Sequence, residues 1–372
     1  MRAAAALAAL LVIAGCSGQP DPPPAVHLLH ASAAHTATAL TDGRVLLAGG
    51  CATTGCSTAT RSTELFDGRR FTAGPRLVTA RDSHTATRLP DGSVLLAGGF
   101  EREGAPPLAS AELATAGGSR ATGAMITGRG GHVAVGLITG AGGRGGLTDT
   151  DLRQAVLVAG GSGPDGPLRS AEVYDAGRGV WRRVAPMHHA RTAAAAAVLP
   201  LHRVLVTGGI GANGKALKSA EIFDLNTETW TDAQPMQEAR GKLAAIDLGD
   251  GRVMVVGGAR DDEHGSALRS AEIFDIHPRD VGTGWAPVGP MTAARYKIPG
   301  AIAQLADGRI LIAGDAPSAE IFQPGPDRFS TLPGSVPGEL FPTVTALPDG
   351  HALIAGGYDS EIQPTSAAEI VG

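Results

Sequence analysis

The chain has 372 residues and a formal net charge of −5. A mildly acidic sequence without a basic run lacks the electrostatic footprint of a nucleic-acid-binding protein, so that class is excluded. Only 4% of the residues are aromatic, and the core is therefore expected to consist mainly of Val, Leu, Ile and Ala.

The N-terminal segment predicts export. Arg2 precedes an apolar run at residues 3–14, which is too short for a membrane-spanning helix of about 20 residues, so residues 1–15 predict a secretory signal peptide. The run ends in Val-Ile-Ala-Gly-Cys, which resembles the bacterial lipobox. This resemblance implies a lipidated Cys16, and the following Ser17 favours the outer membrane. A plain signal peptide that is cleaved elsewhere is the alternative.

Residues 16–25 follow as the lipidated cysteine and a Pro-rich, semi-rigid spacer. Removal of the signal peptide takes away Arg2, so the mature formal charge is 30 − 36 = −6. No other segment favours a membrane, and membrane contact is expected through the lipid anchor only.

Residues 26–372 repeat one unit seven times. At residues 204–224 the unit is a buried strand that ends in a glycine pair, then a polar loop, then a strand that contains Ser-Ala-Glu. A period of about 50 residues is typical of propellers and solenoids. The glycine pairs are Gly49-Gly50, Gly98-Gly99, Gly160-Gly161, Gly208-Gly209, Gly257-Gly258, the imperfect Gly314-Asp315, and Gly356-Gly357. The glutamates are Glu64, Glu112, Glu172, Glu221, Glu272, Glu320 and Glu369.

Two further features complete the unit. An Asp-Gly dipeptide, as at Asp91-Gly92, predicts a tight hairpin between the first and second strands. An aromatic residue marks a fourth strand in five units, whereas the second unit has Ala114 and Ala121 where other units have aromatic residues. The five aromatic residues are Phe71, Trp181, Trp230, Trp285 and Phe329.

Four antiparallel strands with a glycine pair after the second and an aromatic residue in the fourth resemble the kelch repeat. The resemblance covers nearly all of residues 26–372 and implies an all-β, seven-bladed β-propeller with one repeat per blade. The chain ends in the third strand of the seventh unit. We therefore expect residues 26–30 to supply its fourth strand and close the ring, which forms one domain and is expected to be monomeric.

The two remaining cysteines, Cys51 and Cys56, flank four residues after the first glycine pair. An exported chain meets oxidising conditions, so these cysteines are expected to form a disulfide, and two free thiols are the alternative. Two ligands are too few for a closed zinc site, and we expect no metal or other cofactor.

A recurring arginine accompanies the recurring glutamate. Arg81, Arg129, Arg191 and Arg240 lie near the start of first strands, on the same side of the blade as the start of the third. An Arg–Glu ion pair across the side-chain-free glycine pair is therefore expected. The alternative is a basic channel mouth for an anionic ligand, formed by the same four residues. Ser32 and Glu339 replace the arginine in the first and seventh units.

The sequence contains no convergent set of nucleophile, base or metal ligands. His188 and His189 are adjacent but expected to be solvated, and the acidic residues 261–263 favour a solvated loop over a Ca²⁺ site. Galactose oxidase has a kelch-like propeller with copper ligands and a Tyr–Cys crosslink, but those ligands do not carry over. The Gly-rich insertion at residues 140–151 is expected to be a mobile loop and not a phosphate cradle.

The fold leaves the ligand open. We expect a scaffold that binds an envelope protein or glycan through the loops after the glycine pairs, because loops vary while the strands repeat. The candidate binding face comprises Arg81, Arg129, Arg191 and Arg240 with the loop cations Arg169, Lys215, Lys218 and Arg269. The alternatives are a carbohydrate-active lyase or hydrolase with an acidic site at the channel, and a purely structural envelope component.

Overall fold

The computed structural model describes residues 26–137, 155–249, 251–261, 264–276, 284–334, 336 and 338–372. The predicted signal peptide, the lipidation of Cys16, the Pro-rich spacer and the insertion at residues 140–151 lie outside these residues. The described chain is all-β, and its helical segments are two short 3₁₀ turns at Thr54–Cys56 and His264–Ser266.

The strands form seven four-stranded antiparallel sheets, one per predicted repeat. Blade one contains β2 (Thr36–Ala39), β3 (Val45–Ala48), β4 (Thr63–Phe66) and β5 (Phe71–Ala73). Blade two contains β6 (Thr85–Arg88), β7 (Val94–Ala97), β8 (Ala111–Thr115) and β9 (Gly118–Ala121). Blade three contains β10 (Val133–Leu137), β11 (Ala155–Ala159), β14 (Ala171–Asp175) and β15 (Val180–Val184), and the small pair β12 (Ser162–Gly163) and β13 (Gly166–Pro167) lies in its loop.

The remaining blades follow the same order. Blade four contains β16 (Ala195–Leu199), β17 (Arg203–Thr207), β18 (Ala220–Asp224) and β19 (Thr229–Ala233). Blade five contains β20 (Ala244–Gly249), β21 (Arg252–Val256), β22 (Ala271–Asp275) and β23 (Trp285–Val288). Blade six contains β24 (Ile302–Gln304), β25 (Ile310–Ile312), β26 (Glu320–Gln323) and β27 (Arg328–Thr331). Blade seven contains β28 (Thr343–Ala346), β29 (Ala352–Ala355), β30 (Ala367–Val371) and β1 (Val26–His27).

The blades stand in a ring with the first strand of each innermost. Each innermost strand contacts those of the two neighbouring blades, and β28 of blade seven contacts β2 of blade one. The second strands lie between neighbouring blades and are buried on both faces; β3 and β7, for example, read Val-Leu-Leu-Ala with every residue buried. Burial on both faces explains why these strands are continuously apolar instead of alternating.

Aromatic pairs join the third and fourth strands, as at Phe223 and Trp230, whose ring centroids are 5.0 Å apart. The Trp230 indole N–H also donates to the Ala185 carbonyl at 2.7 Å, which ties the blade to the preceding connection. In blade two Ala114 holds the aromatic position of the third strand, as predicted, but the assignment of Ala121 to the fourth-strand position is wrong, because Ser119 lies opposite Ala114 and Ala121 lies opposite Glu112. The strand register, and not the distance along the chain, decides which residues face each other.

The ring closes through the two ends of the domain, as predicted. Val26 pairs with Ala368 and His27 with Ala367, so β1 becomes the outer strand of blade seven. The Leu28 N–H extends this pairing to the Ser366 carbonyl at 3.0 Å. Closure leaves the ring without an open blade-to-blade edge.

Candidate functional site: the loop face

One end of the ring carries all the loops that follow the glycine pairs, and we call it the loop face. Because strands alternate in direction, each second strand ends there, each third strand begins there, and the connection between blades returns to it. The loop face comprises residues 51–60, 100–109, 162–169, 210–218, 259–261, 264–269, 316–319 and 358–365 together with the connections between blades.

A belt of main-chain hydrogen bonds runs around the loop face. The second residue of each glycine pair donates its N–H to the carbonyl of the arginine position in the next blade, at 2.8–2.9 Å in all seven blades. The last link joins Gly357 to Ser32. A Cβ on Gly98 would lie 2.2 Å from the Arg129 carbonyl oxygen, so this close approach requires glycine.

Asp315 replaces the second glycine of blade six without breaking the belt. Its N–H donates to the Glu339 carbonyl at 2.8 Å, and its backbone is left-handed, with φ of 55°. Its carboxylate accepts the Tyr296 N–H at 2.9 Å. Asp tolerates this backbone region better than most residues, and the departure from the repeat is therefore structurally explained.

The recurring Arg and Glu form a buried cluster in each of several blades, and blade two is typical. The Arg81 guanidinium contacts Glu112 at 2.9 Å and is fully buried, and it also donates to the Gly98 carbonyl at 2.6 Å. Glu112 accepts the backbone N–H groups of Val78 and Thr79. Burial lowers the pKa of Arg81, and the Glu112 carboxylate acts in the opposite direction. The cluster fixes the connection between blades to the third strand.

The same cluster recurs in blades two to six, so the expected ion pair across the glycine pair is confirmed. The N–O distances are 2.9 Å for Arg81–Glu112 and Arg129–Glu172, 2.7 Å for Arg191–Glu221 and Arg240–Glu272, and 3.1 Å for Arg295–Glu320. Sequence reasoning missed Arg295, which lies two residues farther from its hairpin than Arg81 does from its own. The Met-x-x-Ala-Arg pattern shared by residues 187–191, 236–240 and 291–295 identifies it.

Blades one and seven lack the arginine and treat their glutamates differently. Glu64 of blade one still accepts the Leu29 and His30 N–H groups, both at 2.9 Å, and lies 3.2 Å from the His30 ring nitrogen. Glu369 of blade seven is only partly buried. Desolvation raises the pKa of the Glu369 carboxyl. The backbone amides thus suffice to hold Glu64 without a guanidinium.

Four arginines of the candidate binding face do not lie on the surface. Arg81, Arg129, Arg191 and Arg240 are at most 1% exposed and are ion-paired. They form no basic channel mouth, because their guanidinium groups are turned into the blade. The four loop cations, by contrast, are exposed on the loop face: Arg169, Lys215, Lys218 and Arg269.

Seven left-handed residues surround the mouth of the central channel. They lie two residues after each arginine position, with φ between 50° and 59°: Ala34, Ser83, Gly131, Ala193, Lys242, Lys297 and Phe341. Neighbours are joined by main-chain hydrogen bonds, such as Gly131 N–H to the Ser83 carbonyl at 2.9 Å. A left-handed backbone strains most non-glycine residues, but its recurrence in every blade gives it an architectural role. The sequence shows no signal for this ring.

Three buried histidines line the channel below this mouth. His35, His84 and His132 each lie against the innermost strand of the preceding blade, where their Nε2 atoms pair with Thr343, Thr36 and Thr85 at 2.9–3.1 Å. Burial lowers the pKa of His35 to about 4 and the pKa values of His84 and His132 well below 6.5. These contacts give His35 and His84 a packing role between neighbouring blades.

Because these histidines are buried in the neutral form, we predict that acid lowers the free energy of unfolding of the ring. Above pH 6.5 they are neutral in the folded and unfolded chains. Below it the unfolded chain binds protons that the folded chain does not, so stability falls from pH 6.5 to about pH 4, by about 3 kcal/mol for His35. Asp82 acts in the opposite direction, since its pKa is raised to about 6. Urea titrations from pH 7.5 to 4 should show a flatter pH dependence for His35→Gln, and an unchanged slope would contradict this assignment.

A cavity of about 510 Å³ opens on the loop face between the loops of blades one, two and three. Asp82 lines it together with Phe100 and Arg102. Asp82 is 7% exposed, and burial raises the pKa of its carboxyl to about 6. The equivalent residues in other blades carry no carboxylate, so this group is specific to blade two. A second cavity of about 470 Å³ lies in the channel mouth and shares Phe100 with the first.

Tyr296 and Tyr358, which lie far apart in the sequence, meet at one cation. The Lys297 ammonium lies 5.0 Å from the Tyr296 ring centroid and 5.3 Å from that of Tyr358. Both rings are buried. Aromatic rings at this distance attract a cation, so the pair positions Lys297 beside the channel mouth.

The predicted disulfide between Cys51 and Cys56 is present, with Cα atoms 5.1 Å apart. It stiffens the loop that links blade one to both neighbours. The Gly55 N–H donates to the Ile362 carbonyl of blade seven at 3.0 Å, and the Ala59 N–H donates to the Glu101 carbonyl of blade two at 2.9 Å. A disulfide is typical of proteins in an oxidising compartment. Within the described residues, no helix is long and apolar enough to span a bilayer.

Comparison with known proteins agrees with this geometry. A family model described as Kelch motif matches residues 152–188 and 191–237, which belong to blades three and four. The fold is a seven-bladed β-propeller of kelch-type four-stranded blades. No curated protein matches its sequence significantly.

The kelch-type propeller also resembles solved structures. One is described as a novel fungal alcohol oxidase with catalytic diversity among the AA5 family, in complex with copper; it aligns with a TM-score of 0.72 and 16% identity over 92% of this chain and 74% of that one. The structure of YjhT aligns with a TM-score of 0.56 and 11% identity over 92% of this chain and 96% of that one. At these identities the likeness concerns the fold.

Proposed function

We propose that this kelch-type propeller is a lipid-anchored, outer-membrane binding module that holds an envelope glycan or protein at its loop face. The observation that carries the proposal is the cavity of about 510 Å³ beside Asp82. Loops that differ in sequence build it, and its volume lies in the range of ordinary ligand sites. The recurring Arg and Glu side chains of blades two to six, by contrast, are paired with each other in the Arg–Glu clusters.

The lining of this cavity favours a glycan over a protein segment. A buried carboxyl, an aromatic ring and a guanidinium provide hydrogen bonds and a flat apolar surface, which together suit a sugar ring. The exposed loop cations Arg169, Lys215, Lys218 and Arg269 lie in the loops of blades three, four and five, where a larger or acidic partner can contact them.

A lyase or hydrolase at the channel is not favoured. Glycoside hydrolysis commonly requires two carboxyl groups that flank the bond to be cleaved. Among the described residues that line the two cavities, Asp82 is buried and Glu103 is exposed on a loop. The recurring glutamates of blades two to six are held by arginines and backbone amides.

The test compares the full-length anchored protein with an Ala105→Trp variant, which fills the cavity. We expect detergent-extracted wild type to bind a subset of an envelope-glycan array and the variant to lose that binding by more than tenfold. Leu201→Trp is the matched control, because Leu201 is 71% exposed at a hairpin on the opposite face. Retention of glycan binding by Ala105→Trp would contradict the proposed cavity.

In-cell crosslinking followed by mass spectrometry separates a protein partner from a glycan. A protein captured by wild type, and lost when Arg169, Lys215, Lys218 and Arg269 are changed to Glu, assigns a protein partner to the loop face. No capture combined with glycan binding assigns the glycan. No binding of either kind would refute the binding-module function.

A further inference from the structure

Blade four differs from the other blades around its recurring glutamate. Asp232 lies directly opposite Glu221 on the neighbouring strand. In blades one, two, three, five and six the residues opposite the equivalent glutamates are Ala73, Ala121, Arg183, Pro287 and Thr331. His188 occupies the connection position that Leu29, Val78, Ile126, Gln237 and Thr292 occupy in the same five blades. Two departures from the repeat therefore meet at one glutamate.

The three side chains converge closely. The His188 Nδ1 atom lies 2.7 Å from an Asp232 carboxylate oxygen and 3.8 Å from Glu221 Oε2. One ligand atom of each residue lies within 4.8 Å of the other two. His188 and Asp232 are about half and two-thirds exposed, and Glu221 is buried. The exposed pair can therefore adjust around a bound ion while Glu221 stays fixed.

Glu221 has acceptor capacity left for a ligand. A carboxylate offers about four lone-pair sites, and three are used by the His188 N–H, the His189 N–H and the Arg191 guanidinium. In blade two the fourth site of the equivalent Glu112 accepts the Ser119 hydroxyl. The corresponding oxygen of Glu221, Oε2, lies 3.8 Å from His188 Nδ1.

We propose that His188, Glu221 and Asp232 bind one Zn²⁺ ion on the loop face. An imidazole nitrogen and two carboxylates form a donor set that suits this metal, and three protein ligands leave a position for water or an oxygen of a partner. Two carboxylates directly opposite each other across a strand pair repel, and a divalent ion removes that repulsion. Arg191 neutralises part of the Glu221 charge and Arg169 lies near His188, so the ion competes with these cations.

A protonated His188 paired with Asp232 is the competing state. The hydrogen bond to Asp232 raises the pKa of His188. Because a metal ion replaces the Nδ1 proton, binding releases a proton and strengthens as pH rises. The inference is independent of the proposed function, since the site needs no partner.

Isothermal titration of the tag-free, EDTA-treated full-length protein with Zn²⁺ at pH 8 tests the site. Wild type should bind one high-affinity equivalent. The double substitution His188→Ile with Asp232→Arg introduces the residues that blade three carries at the same positions, and it should weaken that binding by more than about 100-fold. The reverse exchange in blade three, Ile126→His with Arg183→Asp, should add a second equivalent.

The control against misfolding is Asp232→Asn, which changes an exposed side chain and should weaken Zn²⁺ binding without changing the melting temperature in EDTA. No high-affinity binding by wild type would overturn the proposal. Equal binding by wild type and the His188→Ile, Asp232→Arg variant would also overturn it, because the ion would then lie elsewhere.

Discussion

Replacing Glu172 by Gln is expected to lower the free energy of unfolding by about 3–5 kcal/mol, because it leaves a buried guanidinium without its counter-charge. Arg129 is fully buried and lies 2.9 Å from Glu172. Its remaining acceptors are the carbonyls of Gly160 and Ser170 and the Ser170 hydroxyl. Urea denaturation followed by tryptophan fluorescence measures the loss.

Two comparisons make this result specific to the ion pair. Glu369→Gln, at the same repeat position in blade seven, is expected to change stability by less than about 0.5 kcal/mol, because Glu369 is only partly buried. Arg129→Met combined with Glu172→Gln should cost less than Glu172→Gln alone, since no buried charge is then unpaired. Equal losses for Glu172→Gln and Glu369→Gln would contradict the structural role assigned to the Arg–Glu clusters.

Deleting residues 367–372 is expected to abolish cooperative folding of the whole ring. The deletion removes β30, which lies between β29 and β1, so both strand pairs that close the ring are lost. Loss of closure exposes two blade edges, and the cost is expected to exceed the total stability of a typical domain, about 5–15 kcal/mol. Circular dichroism during heating should show no sigmoidal transition for the truncated protein.

Removal of Gly372 alone is the matched control for the deletion. Gly372 is exposed and lies beyond β30, so its removal should leave the melting temperature within about 2 °C of wild type. A protein lacking residues 367–372 that melts cooperatively at the wild-type temperature would show that blade seven is dispensable for closure.

The loop face combines fixed and variable parts. The hydrogen-bond belt, the left-handed ring at the channel mouth and the Arg–Glu clusters recur around the molecule and hold the connections in place. The cavity beside Asp82 and the His188–Asp232 pair are each specific to one blade. Residues that depart from the repeat without serving the ring are therefore the best candidates for function, and both proposals rest on such residues.

Local and periodic features of the fold could be predicted from the amino-acid order. The glycine pairs end the second strands, and the spacing of Arg81 and Glu112 places them on the same side of a blade, because both features depend on residues within one repeat. The pairing of β1 with β30 could also be predicted, since the last repeat lacks its fourth strand. The fourth-strand position of blade two could not, because a shift of two residues along β9 places Ser119 and not Ala121 opposite Ala114.

Contacts between residues of different blades could not be predicted from the sequence, because they depend on how the blades pack in the closed ring. His35 pairs with Thr343, 308 residues away, and Tyr296 and Tyr358 meet at Lys297, although nothing in the spacing of these residues links them. Four arginines that the sequence placed at a binding face are buried in the structure. Their spacing along the chain fits either an exposed or an inward-facing guanidinium, and only the packing of the blades distinguishes the two. The cavity beside Asp82 likewise needs loops from three blades, whose separation is set by the curvature of the ring and not by any one repeat.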